Sequence, residues 1–167
     1  MRRSWLTTSA QKFDPSGWVR AKDPLDAESQ NCVAWAYNIR DQRSLPPGWW
    51  GATHKRSELR PVALESSARN PKGLIQLLEL DGCHRLSVRS FLRFERPQGL
   101  GAGWLVAAYW RRGGFHLRRL DVDGTWSEKQ GGHLPERLGK LSAPGLLLAR
   151  DKDGDRYVLV GLLWWQP

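Results

Sequence analysis

Cysteine is scarce in this chain of 167 residues, which contains only Cys32 and Cys83. Two cysteines cannot form the disulfide framework on which many small secreted domains depend. The count is typical of proteins made in a reducing compartment. We therefore expect the chain to be cytoplasmic when it is made.

Long apolar runs are also lacking. No stretch approaches the length needed to cross a bilayer. The positively charged start, Met1-Arg2-Arg3, is not followed by the apolar segment of a cleavable signal peptide. We expect no membrane insertion and, if the protein acts outside its cell of origin, delivery by a specialised secretion system.

Acidic residues are outnumbered, with 17 Asp and Glu against 26 Lys and Arg, for a net charge of +9. This excess favours polyanionic partners such as nucleic acid, an anionic cell-wall polymer or an acidic protein face. A solvated, arginine-rich surface explains the charge equally well. Since no helix-turn-helix, RNP-like or zinc-finger pattern accompanies it, nucleic acid is not the favoured partner.

Tryptophan is abundant instead, with ten residues against one methionine and four phenylalanines. Several tryptophans occur in pairs, Trp49-Trp50 and Trp164-Trp165. Neighbouring residues of a strand point to opposite faces. We therefore expect some indole surface to be exposed or to line a groove.

The length and a hydrophobic content of 40% fit one compact domain, residues 1–167, with residues 1–24 as an irregular N-terminal arm. Asp26, Ser29 and Asn31 are all competent caps for a short helix, which must end near Ser44 because Pro46-Pro47-Gly48 cannot continue it. A loop is expected over 49–60. Asn70-Pro71 predicts the start of a second helix, which ends at Asp81-Gly82.

Period-two patterns predict that the second half of the chain is made of strands. The predicted strands begin at 85 and cover 104–110, 115–122, 125–129, 146–149 and 157–165. Asp123-Gly124 is the strongest hairpin signal among them. Helices followed by an antiparallel meander indicate an α+β fold, with N-terminal helices packed on the sheet.

Residues 151–155, Asp-Lys-Asp-Gly-Asp, resemble a calcium loop only superficially. The glycine comes fourth rather than sixth, and the twelfth place is Leu162 instead of glutamate. A polar hairpin turn explains the stretch better. The four histidines show no paired ligand spacing. We predict neither a metal nor a cofactor.

Cys32 would begin the first helix, directly after the cap residue Asn31. Unpaired backbone N–H groups and the positive end of the helix dipole stabilise a thiolate there, and the same N–H groups can form an oxyanion hole. The small Ala34 and Ala36 would allow a sheet to approach closely. Taken alone, the stretch also fits a buried cysteine with no chemical role.

His116 adds a second candidate group. It lies on a predicted strand entered through Gly113-Gly114, where a histidine is well placed to act as general base toward a cysteine on a facing helix. A histidine without catalytic function fits the same position.

Four pieces of this chain together resemble a known family. They are residues 31–38 (Asn-Cys-Val-Ala-Trp-Ala-Tyr-Asn), Pro47-Gly48, residues 115–119 and residues 123–129. Between about residues 29 and 132, this arrangement resembles the bacterial papain-like cysteine hydrolases of the broad NlpC/P60 and transglutaminase-like kind. That group includes small secreted or delivered effectors.

The resemblance implies a papain-like fold with Cys32 as nucleophile, His116 as base and a third polar residue that orients the imidazole. In the family pattern the third residue is a histidine between Ser and Lys, whereas this chain has Glu128. A carboxylate can accept the imidazole N–H and fix its tautomer. Asp121 and Asp123 are substitutes for the same role.

The resemblance also implies an oxyanion hole made from the Cys32 backbone and a side chain, for which Gln30 is the nearest candidate. Two further positions depart from the family pattern. Val33 stands where an aromatic residue is expected, and Gln130 stands where proline is expected.

These residues predict a cysteine hydrolase that cleaves an amide bond in a protein, a peptidoglycan stem peptide or a glutamine side chain, in the manner of a bacterial effector or toxin. Trp35, Trp49 and Trp50 are predicted to wall its substrate groove. The alternative is a catalytically inactive papain-like module that binds nucleic acid or a partner protein through its basic, Trp-rich surface.

Overall fold

The computed structural model describes residues 11–18, 31–40, 45–54, 70–87, 99–131 and 133–167. These residues contain four helices and seven strands. The helices are α1 (Cys32–Tyr37), α2 (Trp49–His54), α3 (Pro71–Leu80) and α4 (Ala143–Leu147). The strands are β1 (Cys83–Arg85), β2 (Trp104–Arg111), β3 (Gly114–Leu120), β4 (Trp126–Glu128), β5 (Glu136–Gly139), β6 (Leu148–Arg150) and β7 (Arg156–Trp165).

The strands form one antiparallel sheet in the order β1-β7-β2-β3-β4-β5, and β6 pairs with β7 outside this path. The predicted α+β class is confirmed. Strands β2 to β5 form the expected meander, but β7 returns to the middle of the sheet between β1 and β2. The simple meander was therefore only part of the topology.

Helix α1 begins where the sequence predicts and ends early. The Asn31 side chain accepts hydrogen bonds from the N–H groups of Val33 and Ala34, both at 3.1 Å. Asn38 adopts a left-handed conformation with φ of 55°, which stops the helix after Tyr37. All six helical residues are buried, so α1 is held by packing on every side.

Helix α3 confirms the second predicted helix, with Asn70 as cap and Pro71 in the first turn. The loop predicted over 49–60 is wrong at its start, because residues 49–54 form α2. Gly51 lets α2 approach the end of α3, since a Cβ there would lie 2.0 Å from the Leu80 carbonyl oxygen. Local sequence did not reveal α2, because this contact is made to a distant segment.

A hydrophobic core covers each face of the sheet where Trp164 and Trp165 lie, which corrects the expectation drawn from that tryptophan pair. Trp165 packs in the core beneath α1 and α3, and Trp164 packs in a second core on the opposite face with Leu105 and Tyr109. Both indoles are buried because a core covers each side. The pair at Trp49-Trp50 is half-buried.

The C-terminal hairpin also differs in detail from the prediction. Residues 146–149 were expected to be a strand, but α4 continues to Leu147 and only Leu148–Arg150 are extended. Ser142 caps this short helix by accepting from Gly145 N–H at 3.3 Å. The hairpin at Asp123-Gly124 forms as predicted, with Gly124 at φ of 79°.

Residues 11–18 of the predicted N-terminal arm are irregular, and the rest of 1–24 lies outside the described residues. Gln11 ties this segment to the domain, because its carbonyl accepts from Val122 N–H at 2.9 Å and its side chain accepts from Asn38 at 2.9 Å. Among the helices in the described ranges, none has the length and apolar character to cross a membrane.

Replacing the buried carboxylate of Asp81 tests how α1, α2 and α3 are joined. Asp81 accepts from the Tyr37 hydroxyl at 3.0 Å and from the N–H groups of Gly48 and Gly51 at 2.8 and 2.9 Å. We expect Asp81→Ala to lower the free energy of unfolding by about 2–4 kcal/mol, because three buried donors lose their acceptor. Chemical denaturation measures this, and Glu79→Ala, an exposed change in α3, should cost less than about 0.5 kcal/mol. Equal effects would contradict this role.

Candidate active site

The β3–β4 hairpin places a histidine beside two charged side chains. Arg118 and Glu128 lie directly opposite one another across the hairpin, and His116 precedes Arg118 by two residues on the same strand face. Glu128 Oε2 lies 3.0 Å from His116 Nε2 and accepts from Arg118 Nε at 2.6 Å. All three side chains are buried.

Cys32 lies against the other side of the imidazole. It is the first residue of α1, it lines the same cavity as His116, and it lies close enough to the imidazole to raise the pKa of His116. Because Nε2 is taken by Glu128, Nδ1 is the ring nitrogen left for the sulfur. The exposed fractions of Cys32 and His116 are each 6%. The structure thus brings Cys32, His116 and Glu128 into one continuous chain of contacts.

The charges in this chain stabilise one another. Burial opposes the imidazolium, but hydrogen bonds with Cys32 and Glu128 outweigh it and raise the pKa of His116 to about 9. Burial likewise opposes ionisation of Glu128, yet the hydrogen bond with His116 and the nearby Arg118 lower its pKa to about 2. At neutral pH the pair is therefore imidazolium and carboxylate.

The backbone around Cys32 offers one free donor rather than several. The N–H groups of Val33 and Ala34 are occupied by Asn31 Oδ1, so they cannot also hold an oxyanion. The Cys32 N–H is the first of the helix and has no acceptor within it. Gln30, the predicted side-chain donor, lies outside the described residues.

The two substitutes for the third position are engaged elsewhere. Asp121 is buried and accepts from Arg119 Nε at 2.9 Å. Asp123 accepts from the Thr125 N–H and forms an ion pair with Arg137 at 3.2 Å. Neither contacts His116, because their side chains serve the opposite face of the hairpin and its turn. Glu128 is the residue that meets the imidazole.

Cys32 and His116 line a cavity of about 410 Å³ that opens between the sheet and the turn joining β6 to β7. Phe115 and Tyr157 contribute aromatic surface, and residues 151–153 form the opposite wall. Asp151 Oδ1 accepts from the N–H groups of Asp153 and Asp155 at 3.1 and 2.8 Å. This is the predicted polar turn. Within the described ranges, no three His, Cys, Asp or Glu side chains are grouped to hold a metal ion.

The predicted tryptophan walls are not part of this cavity. Trp35 is fully buried beneath Arg119, whose guanidinium lies 4.1 Å from the indole centroid, and its Nε1 donates to Ser127 Oγ at 3.2 Å. Trp49 and Trp50 pack against the helix-side core instead. Their large apolar side chains suggested that they line the substrate groove, but the sequence did not show that these side chains point into the core.

Three side chains of the site were missed from sequence. Arg118 pairs with Glu128, and its spacing of two from His116 on a predicted strand was the signal that could have found it. Gln130 Nε2 donates to Glu128 Oε1 at 2.5 Å and to the Arg150 carbonyl at 3.1 Å. Gln130, noted only as a departure from the family pattern, therefore supports the carboxylate.

Lys129 is the third of these side chains. It is buried, and its ammonium donates to the Gly131 carbonyl at 2.6 Å. Burial lowers the pKa of Lys129 to about 8, while the charge of Cys32 acts in the opposite direction. A second cationic group thus lies within electrostatic range of the sulfur.

Removal of the Glu128 charge should change the titration of His116. In Glu128→Gln we expect the pKa of His116 to fall by at least about one unit from 9, because an opposite charge is lost from a buried contact. NMR titration of the imidazole, assigned with a His116→Gln variant, measures the shift. Glu136→Gln is the matched control, since Glu136 lies opposite Glu128 on β5 and is exposed. An unmoved His116 titration would contradict the assignment.

The same pair makes stability depend on pH. A histidine whose pKa is raised in the folded state stabilises it fully below the unfolded value of 6.5, and this contribution is lost as pH rises through about 9. We therefore expect the difference in unfolding free energy between the wild type and Glu128→Gln to be larger at pH 6 than at pH 10. Denaturation at the two pH values tests this. A difference that is constant or grows with pH would exclude the pair as its source.

No family model matches the chain, and comparisons with curated proteins and with solved structures likewise give no match. The case for a function consequently depends on the residues of the site.

Proposed function

We propose that this protein is a cysteine hydrolase with a papain-like fold that cleaves an amide bond. The observation that supports it best is the buried chain of contacts from Arg118 through Glu128 and His116 to Cys32, which ends at a cavity wall. A nucleophile beside a base that is itself oriented by a third group is the arrangement that covalent catalysis requires.

The proposed reaction follows from the arrangement of these groups. The Cys32 thiolate attacks the carbonyl carbon, and the developing oxyanion receives a hydrogen bond from the Cys32 N–H. The His116 imidazolium gives its proton to the nitrogen of the leaving amine, the C–N bond breaks, and a thioester remains. Neutral His116 then takes a proton from water, whose oxygen attacks the thioester. The acid product leaves, and the thiolate and imidazolium are restored.

Glu128 holds the imidazole for both steps. Its carboxylate fixes the proton on Nε2, so that Nδ1 faces the sulfur and exchanges the transferred proton. Arg118 and Gln130 hold the carboxylate from two further directions. The glutamate at this position is thus built into the site rather than a solitary replacement for histidine.

A module that binds polyanions without catalysis is the second candidate. It is favoured by the net charge of +9 and by exposed arginines at positions 112, 150 and 156. In the described part of the chain, however, each tryptophan is buried or half-buried, which leaves little indole surface for base stacking. Binding of this kind should weaken steeply with salt and be indifferent to Cys32→Ala.

Thiol reactivity separates the two candidates. We expect iodoacetamide at pH 7 to alkylate Cys32 at least about tenfold faster than Cys83, because the imidazolium of His116 stabilises the attacking thiolate. Cys83 is a matched internal control, since it is also buried and hydrogen-bonds to the Tyr37 hydroxyl. Mass spectrometry of each peptide over time gives both rates.

Variants complete the test. Cys83→Ala should retain the fast phase and Cys32→Ala should abolish it, while His116→Ala should slow it by at least about tenfold. Slow and equal labelling of both thiols in the folded wild type would exclude the hydrolase.

A further inference from the structure

An apolar row crosses one face of the sheet at the end nearest the cavity. Leu148 lies directly opposite Val158, Val158 opposite Trp110, and Trp110 opposite Phe115. Residues paired in this way point to the same face. The row therefore runs over four adjacent strands, β6, β7, β2 and β3.

This row is accessible, and it leads to the proposed nucleophile. Leu148 and Val158 are 50% and 49% exposed, and Trp110 and Phe115 are half-buried. Phe115 also lines the cavity that holds Cys32 and His116. With strands about 4.8 Å apart, four strands span about 14 Å, which is the length of about four residues of extended polypeptide.

A second row, of arginines, lies beside the first. Arg150 is paired directly opposite Arg156, and both side chains are exposed on the same face as Leu148 and Val158, two residues further along the strands. Like charges placed opposite one another destabilise a hairpin. The Arg150–Arg156 pair would therefore be stabilised by binding an anionic group from another molecule. The nearby Asp151 does not supply it freely, because its carboxylate is held by the amides of its own turn.

We propose that the substrate of the Cys32 site is an extended polypeptide segment in which apolar and acidic residues alternate. Its apolar side chains cover the row from Leu148 to Phe115, its carboxylates face Arg150 and Arg156, and its scissile amide enters the cavity at Cys32. This inference rests on the proposed hydrolase function and selects a protein substrate for it.

The binding test uses the full chain with Cys32→Ala and a short fluorescein-labelled peptide that alternates leucine with aspartate. Two comparison peptides carry serine in place of leucine or lysine in place of aspartate. We expect the Leu-Asp peptide to bind at least about tenfold more tightly than either, as measured by fluorescence anisotropy, since each comparison removes one of the two complementary features.

Protein variants locate the binding surface. Val158→Ser and Arg156→Gln should each weaken binding of the Leu-Asp peptide several-fold. Val122→Ser is the matched control, because Val122 is an exposed valine, 38% accessible, at the β3–β4 turn away from the row, and it should leave binding unchanged. In the wild type, the same peptide should slow alkylation of Cys32 by iodoacetamide.

Several outcomes would overturn the inference. The three peptides could bind equally, Val158→Ser and Val122→Ser could have equal effects, or the peptide could bind and leave Cys32 unprotected. The inference would also fail if a single-stranded oligonucleotide displaced the peptide and its own binding did not change with Val158→Ser. With a fast-reacting Cys32, these results would leave the hydrolase proposal standing. A peptide that binds and protects a Cys32 no more reactive than Cys83 would instead remove the hydrolase proposal and the substrate assignment together.

Discussion

The buried carboxylate of Glu128 is the group on which the candidate site depends. Removing an isolated carboxylate from water costs several kcal/mol of free energy, so a buried carboxylate requires cations or hydrogen-bond donors around it. Arg118 and His116 contact one of its oxygens at 2.6 and 3.0 Å, and Gln130 donates to the other at 2.5 Å. All four residues belong to β3, β4 or the residues directly after β4. The register of one hairpin therefore sets both the charge balance and the orientation of the imidazole.

The opposite face of the same hairpin positions Cys32, the proposed nucleophile. Arg119 donates to the carbonyl of Trp35 at 3.0 Å, and Ser127 accepts from the Trp35 indole at 3.2 Å. Arg119 and Ser127 are directly paired in the hairpin, so Trp35, in the middle of α1, is fixed to the strand that carries His116. Cys32 lies at the start of that rigid six-residue helix. One face of β3 therefore carries His116, and the other face holds α1, the helix that begins with Cys32.

Short-range sequence signals predicted much of the secondary structure. The caps at Asn31 and Asn70 and the turn at Asp123-Gly124 act within a few residues, and each is visible in the sequence. The insertion of β7 between β1 and β2, and the burial of Trp164 and Trp165 on opposite faces, depend on segments far apart in the chain. Period-two patterning cannot distinguish a sheet covered on one face from one covered on both, because it reports alternation and not what lies above each face. The burial of Trp35 in α1 likewise depends on residues far away in the chain, since Arg119 and Ser127 of the β3–β4 hairpin contact its indole.

The carboxylate at position 128 gives the site a different electrostatic character from the histidine of the papain-like pattern. A neutral orienting group fixes the tautomer of the imidazole, whereas an anion also stabilises its proton. Against the effect of burial, Cys32 and then Glu128 raise the pKa of His116 to about 9. The Glu128 carboxylate thus lies between two cations, the guanidinium of Arg118 and the imidazolium of His116. An imidazolium that keeps its proton across the neutral range is suited to protonating a leaving amine, which is the demanding step in amide cleavage. Its proton is correspondingly harder to remove, so in the proposed hydrolase the step that this arrangement slows is release of the acyl group, where neutral His116 acts as base.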